Sequence, residues 1–287
     1  MRSNKLKDRI ATGETIVNAW LAIPSSYSAE GIGQAGFHSV TVDLQHGMLG
    51  FSDALHMLQA ISATPATPLV RVPELNNGSI MRLLDAGAYG IICPMISTAD
   101  DARALVAACR YPPMGKRSFG PARGLLYGGQ DYVAKANDFI MAIPMIETLD
   151  AIENIDEIMG VAGIDMIYIG PNDLAFSMDG SVDFPRPESE AAISHVLERA
   201  QSKGCSTGIF CSDVEQAKRR VKQGFNLVTP GNDFNHLIQS SALDLMLISL
   251  PLGAIKDRSE LRDLVMFFPF FSNSEVRLPF IKPSHEV

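Results

Sequence analysis

The sequence predicts a closed (β/α)8 TIM barrel, and three observations predict it. Eight short apolar runs recur along the chain, and segments of helical periodicity lie between them. Glycine follows several of those segments just before the next run begins, where a helix end needs the left-handed conformation. Alternating β and α units imply a parallel sheet covered by helices. Eight such units close into a barrel, whereas a doubly wound sheet usually has five or six strands.

The strands are expected at IVNAWLAI (16–23), HSVTVDL (38–44), PLVRV (68–72), GIICPM (90–95), IMAIPMIE (140–147), DMIYIG (165–170), STGIF (206–210) and NLVTP (226–230). Helical periodicity marks SDALHMLQAIS (52–62), SIMRLLDAGA (79–88), DDARALVAACR (100–110), IENIDEIMG (152–160), ESEAAISHVLERAQSKG (188–204), VEQAKRRVKQG (214–224) and HLIQSSALDLML (236–247). DAGAYG, SKGC and KQGF supply the glycine stops. Two regions break the rhythm. Residues 111–138 form a long Gly- and Pro-rich excursion between the fourth helix and the fifth strand, the kind of loop that is functional or interfacial. With the barrel complete by residue 250, residues 251–287 form an atypical C-terminal extension. Its run LVMFFPFF would be a liability unless packed on the barrel or on another subunit.

A chain of 287 residues with 46% hydrophobic and 20% charged residues can bury a substantial core. Its formal charge of −8 and lack of a Lys/Arg-rich run argue against a nucleic-acid partner. Cys93, Cys109, Cys205 and Cys211 show no zinc spacing and are expected to be structural thiols. The basic N-terminus lacks the apolar core of a secretory signal, and no run approaches the ~20 apolar residues of a membrane span. A cytoplasmic protein with no membrane contact is the expectation.

In a barrel, chemistry belongs at the C-terminal ends of the strands. The second strand ends at Asp43, Gln45 and His46, the third at Arg71 and the fifth at Glu147. The sixth runs into Asn172 and Asp173. Singly, each has a structural explanation: Asp173 could cap a helix, Glu147 could sit favourably near a helix N-terminus, and His46 could be a satisfied imidazole. Arg71 is harder to dismiss, because a guanidinium in an apolar strand is costly without an acceptor or ligand. Together, Glu147 and Asp173 are oxygen ligands for a hard divalent ion, with other positions left to water and substrate; the set favours Mg²⁺, Mn²⁺ or Co²⁺ over structural zinc. No lysine falls at an expected strand end, which argues against Schiff-base chemistry.

AGFHSVTVDLQHG, PLVRVP, IMRLLDAGAYGIICPMISTADDA, RYPPMGKRSFGP, IPMIET and IYIGPNDLAFSMD together resemble the HpcH/HpaI aldolases, class II pyruvate aldolases of the phosphoenolpyruvate/pyruvate-binding barrel superfamily. The resemblance runs from about residue 5 to about residue 250. It implies reversible, divalent-metal-dependent cleavage of a 4-hydroxy-2-oxo acid to pyruvate and an aldehyde, through a pyruvate enolate and without an organic cofactor. Glu147 and Asp173 would hold the metal, and Arg71 the pyruvate C2 oxygen. His46, oriented by Asp85 and supported by Asp43, would move the proton through metal-bound water. Backbone N–H groups of Gly170, Pro171, Asn172, Asp173 and Leu174 would receive the carboxylate. Gln45 stands where many members carry an acid, as in a DLQHG subgroup. Family members assemble as hexamers, so a homo-oligomer is expected. Two alternatives stay open: an acyl-CoA lyase using Lys116, Arg117 and Arg123 for a nucleotide, and a catalytically silent ligand-binding barrel.

Overall fold

In the computed structural model, which describes residues 2–181 and 186–249, eight parallel strands hydrogen-bond in chain order and the last returns to the first. They are β1 (Ile16–Leu21), β2 (Ser39–Asp43), β3 (Thr67–Arg71), β4 (Gly90–Cys93), β5 (Met141–Ile146), β6 (Ile167–Ile169), β7 (Thr207–Cys211) and β8 (Leu227–Pro230). Six fall within the apolar runs, while β3 begins one residue before its run and β7 ends one residue after its run. The (β/α)8 barrel is therefore the architecture.

Side chains alternate across each strand, and the two cores follow from that period. Val40, Val42, Val70, Ile91, Ile167, Ile169 and Ile209 face outward onto the helices. Ile16, Trp20, Leu69, Ile92, Ile143, Met145 and Tyr168 fill the interior. Continuing the inward alternation past Met145 reaches Glu147; past Leu69 it reaches Arg71, and past Ser39 and Thr41 it reaches Asp43. The polar ends of these strands thus stand over a packed floor. At the other end, α1 (Lys5–Ala11) inserts Leu6 into the interior cluster, and the fully buried Asn4 donates to the carbonyls of Tyr89 and Phe139.

Helices α2 (Ser26–Gln34), α3 (Phe51–Ser62), α4 (Asn77–Asp85) and α5 (Ala99–Cys109) follow the first four strands. The 111–138 excursion is more ordered than a loop, containing α6 (Ala122–Gly128) and α7 (Tyr132–Phe139). After β5 come the short α8 (Leu149–Glu153) and α9 (Ile155–Met159), and α10 (Pro171–Asp179) and α11 (Pro187–Lys203) follow β6. The last two are α12 (Val214–Gln223) and α13 (Asp233–Ser249). Contacts divide the chain after Asn235: the first unit is the barrel, and from His236 the described residues continue α13 to Ser249. The extension expected at 251–287 lies outside the described residues.

β1 and β8 share a short register, Ile16 with Leu227 and Val17 with Val228, and polar side chains reinforce the join. Asn18 donates to Thr229 Oγ1 at 3.0 Å while its oxygen accepts from Ser39 and Thr41; the Tyr168 hydroxyl donates to the same Thr229 oxygen at 2.8 Å. Asp233 accepts the backbone N–H groups of Ala22 at 2.8 Å and Ile23 at 3.2 Å, tying the end of β8 to the end of β1.

The excursion also corrects two expectations. Arg117 is not available to a nucleotide: it is 1% exposed, donates to Asp85 Oδ1 at 2.7 Å and to the Tyr132 hydroxyl at 3.0 Å, and lies over the Tyr111 ring. Asp85 does not orient His46 within this chain. It ends α4, five residues before β4 begins, and so lies at the N-terminal face of the barrel, while His46 follows the C-terminal end of β2. Burial outweighs the Arg117 guanidinium and leaves the Asp85 carboxyl above the ordinary range. Asp85→Asn is expected to lower unfolding stability by about 3 kcal/mol, because it strands a buried guanidinium. Urea denaturation measures this; a loss below ~1 kcal/mol would show that the pair contributes little.

Candidate active site

Asp43 and Arg71 are register partners on neighbouring strands, which brings both side chains inward at the same level. The guanidinium grips the carboxylate with two bonds, Nε to Oδ1 at 2.8 Å and Nη2 to Oδ2 at 2.5 Å. Oδ2 also accepts the indole N–H of Trp20 at 3.0 Å, and Oδ1 accepts the backbone N–H groups of Gln45 at 3.0 Å and His46 at 3.3 Å. Burial alone would raise the Asp43 pKa, but the Arg71 bonds and charge, with Trp20 and the His46 N–H, outweigh it and hold it below its ordinary value. Asp43 is thus an ionised, saturated anchor. It fixes Arg71, and it bends the chain so that residue 46 follows the strand end.

That bend explains Gly47. A Cβ there would stand 2.2 Å from the Asp43 carbonyl oxygen, so only glycine lets the turn fold back on the strand. His46 is left exposed, and its imidazole makes no hydrogen bond to another described residue. The Gln45 side-chain oxygen is buried without a partner.

Arg71, 8% exposed, uses Nε and Nη2 on Asp43 and lies over the Trp20 ring at 4.9 Å, which leaves Nη1 uncommitted. Glu147, 2% exposed, extends the interior line of β5. Its Oε1 accepts the Met95 backbone N–H at 2.7 Å, for which Met95 adopts a left-handed φ of 57°. Its Oε2 lies where a Cβ on residue 170 would come within 2.4 Å, so Gly170 is the space that admits the carboxylate. Burial, and after it the charge of Asp173, push the Glu147 pKa up to about 7 against the Met95 N–H and Arg71.

Asp173 lies in the first turn of α10, with Gly170 at the N-cap and Pro171 at its first position. The expected carboxylate cradle is narrower than five residues. The Gly170 N–H donates to Ile146 at 3.2 Å, Pro171 has none, and the Leu174 N–H donates to Gly170 at 3.0 Å. Asn172 and Asp173 keep the free N–H groups of the helix start.

Two carboxylates that feel each other's charge, one of them buried and under the influence of the Arg71 guanidinium, fit a divalent cation: their mutual repulsion is what such an ion would relieve. Among the described residues no group of three or more His, Cys, Asp or Glu gathers. Were a divalent ion to bind, Glu147 and Asp173 would supply two oxygen ligands and leave its other positions to water and substrate. Two residues that hold the site, Trp20 on Asp43 and Met95 on Glu147, were not singled out from the sequence. A lone tryptophan ending an apolar strand, with an indole N–H to satisfy, was the available sign of the first; nothing in the sequence announces the second.

Fold and site define a (β/α)8 enzyme working at the carboxyl ends of its strands. The chain belongs to the HpcH/HpaI aldolase/citrate lyase family, whose model matches residues 17–240. It is 40% identical over 232 residues to a hydroxypyruvate/pyruvate aldolase of Rhizorhabdus wittichii, covering 80% of this chain and 92% of that one. A 2-keto-3-deoxy-L-rhamnonate aldolase of Klebsiella pneumoniae is 35% identical over 245 residues, 84% of this chain and 91% of its own. The crystal structure of a family member from Burkholderia cenocepacia superposes with a TM-score of 0.83 at 30% identity, covering 86% of this chain and all of that one. The family is one of divalent-metal-dependent aldolases and lyases. No helix among the described residues is long and apolar enough to cross a membrane.

Proposed function

We propose that the chain catalyses reversible aldol cleavage of a 4-hydroxy-2-oxo acid to pyruvate and an aldehyde. The observation that carries this is the fixed Arg71 guanidinium, held by both oxygens of a buried carboxylate, with one N–H face free beside Glu147. When the C3–C4 bond breaks, its electron pair moves onto C3 and the C2 oxygen while the C4 hydroxyl proton leaves and the aldehyde forms. Pyruvate results when C3 is protonated. Charge develops at the C2 oxygen, and a preorganised donor there stabilises the transition state more than the substrate.

Glu147 and Asp173 would hold Mg²⁺, Mn²⁺ or Co²⁺, which when bound supplies Lewis-acid polarisation of the same oxygen. The N–H groups of Asn172 and Asp173 receive the substrate carboxylate at the helix start. His46 stands at the rim with an uncommitted imidazole and handles the proton; Asp43 serves it by fixing the backbone, not as a relay. The same reading extends to a cytoplasmic homo-oligomer, a hexamer by family resemblance, with exposed Met48, Phe119 and Leu126 as apolar surface for contacts.

Coupled assay of pyruvate release from a panel of 4-hydroxy-2-oxo acids tests the activity, with turnover expected to fall to background in EDTA and to return with Mn²⁺. Full activity after exhaustive chelation would sink the reading. His46→Ala is expected to slow solvent exchange of the pyruvate methyl protons by about 10²-fold, followed by NMR, while pyruvate still binds. Unchanged exchange would move the proton-handling role to another residue.

A further inference from the structure

At the end of the barrel opposite the mouth, a cavity of about 300 Å³ opens between α1, the turn before β3 and the start of β4. Arg2, Lys5, Ser62, Thr67, Tyr89 and Tyr127 line it. Its charges are unbalanced. The Arg2 guanidinium donates to the Ser62 carbonyl at 3.0 Å and lies 4.3 Å over the Tyr127 ring. Arg123, behind the wall, donates to the Ala86 carbonyl and the Ser62 hydroxyl, both at 2.6 Å, and faces the same ring at 5.5 Å. Every one of these partners is neutral, and no ion pair of Lys5 is found among the described residues. Asp131, whose field reaches Tyr89, is engaged by Lys135 at 2.6 Å. Burial, and then the nearby Arg2 charge, disfavour the charged form of Arg123.

A second observation points into the same space. Thr67 is 5% exposed and lines the cavity, and its hydroxyl makes no hydrogen bond with another described residue. In a chain of net charge −8, two or three cations around one hollow are a local reversal of sign.

We propose that this cavity binds a phosphate dianion, free or as a phosphate monoester. Three or four acceptor oxygens on one centre match the uncommitted N–H groups of Arg2, the Lys5 ammonium and the Thr67 hydroxyl, and guanidinium and ammonium are the groups that recognise phosphate. The volume lies at the lower end of small-molecule sites and leaves room for a short ester group. Bound there, the anion ties α1 to the turn before β3, far from the strand ends where chemistry is placed. It is a stabilising or regulatory site, not a substrate site.

Calorimetric titration of the full-length, Mg²⁺-loaded protein with inorganic phosphate and with glycerol 2-phosphate, at ionic strength matched with chloride, tests it. Saturable one-to-one binding is expected, with the Michaelis constant for pyruvate unchanged. Lys5→Gln combined with Thr67→Val is expected to weaken binding at least tenfold while leaving kcat alone. Tighter binding of the ester would name phosphorylated metabolites as the ligand source, and binding of inorganic phosphate alone would name the free ion. No saturable binding, equal binding by the double variant, or competition with pyruvate would each overturn the proposal.

Discussion

Lysine in place of Arg71 is expected to lower kcat by about 10²–10³-fold while Mn²⁺ affinity stays within about threefold. Asp43 presents two oxygens to a planar fork, and Arg71 meets both while keeping Nη1 for substrate. An ammonium on a shorter, unforked stem cannot satisfy that carboxylate and also reach a developing oxyanion. The formal charge beside Glu147 is unchanged, so the metal ligands feel little difference. Steady-state pyruvate release and Mn²⁺ titration by EPR separate the two effects. Turnover within threefold of the parent would remove Arg71 from the oxyanion role, and lost Mn²⁺ binding would make it a metal-site residue instead.

The second large effect is set by Glu147. In the metal-free protein burial, then Asp173, push its pKa up from 4.5 to about 7. A cation must displace that proton, so apparent Mn²⁺ affinity is expected to fall about tenfold for each pH unit below 7 and to level off above it. Stability moves the other way in the absence of metal. The folded state holds the proton more tightly than the unfolded chain, so the metal-free protein loses stability as pH rises from about 4.5 through about 7, by on the order of 3 kcal/mol when complete. Mn²⁺ should therefore raise Tm little at pH 5.5 and strongly at pH 8, and Glu147→Gln should abolish both trends. Scanning calorimetry across that range decides it; a Tm increment independent of pH would mean that Glu147 is not the group titrating against the metal.

The barrel was legible because strands buried on both faces cannot hide their apolar runs, and every run overlaps a strand to within one residue. Helix α2 was not. Its sequence SYSAEGIGQ buries only Ala29 and Gly33, so small residues do the packing and leave no apolar period to detect. The 111–138 excursion looked like a loop because Gly and Pro punctuate it; its order comes from burying Arg117 between Asp85 and two tyrosines, a long-range arrangement that local propensity does not encode. At the site, side chains were legible where strand ends deliver them, as at Asp43, Arg71 and Glu147. Asp85 stands at the end of α4, and its motif says nothing about which end of a barrel a helix terminus occupies. The cradle at residues 170–174 shrank for a similar reason: which N–H groups are spent inside the helix depends on hydrogen bonds that sequence spacing alone does not reveal.

The join between β1 and β8 has a kinetic consequence. Asn18 and Thr229, like Ala22 and Asp233, are partners 211 residues apart, so they meet only after nearly the whole barrel has been made. Closing so long a loop costs only modestly more than closing a short one, but contacts of that sequence separation slow folding. Until β8 arrives, β1 presents an unpaired edge to the surroundings, and a newly synthesised chain carries that exposed strand throughout translation of the seven units that follow. The polar seam is therefore also the point at which the chain stops being vulnerable to pairing with its neighbours.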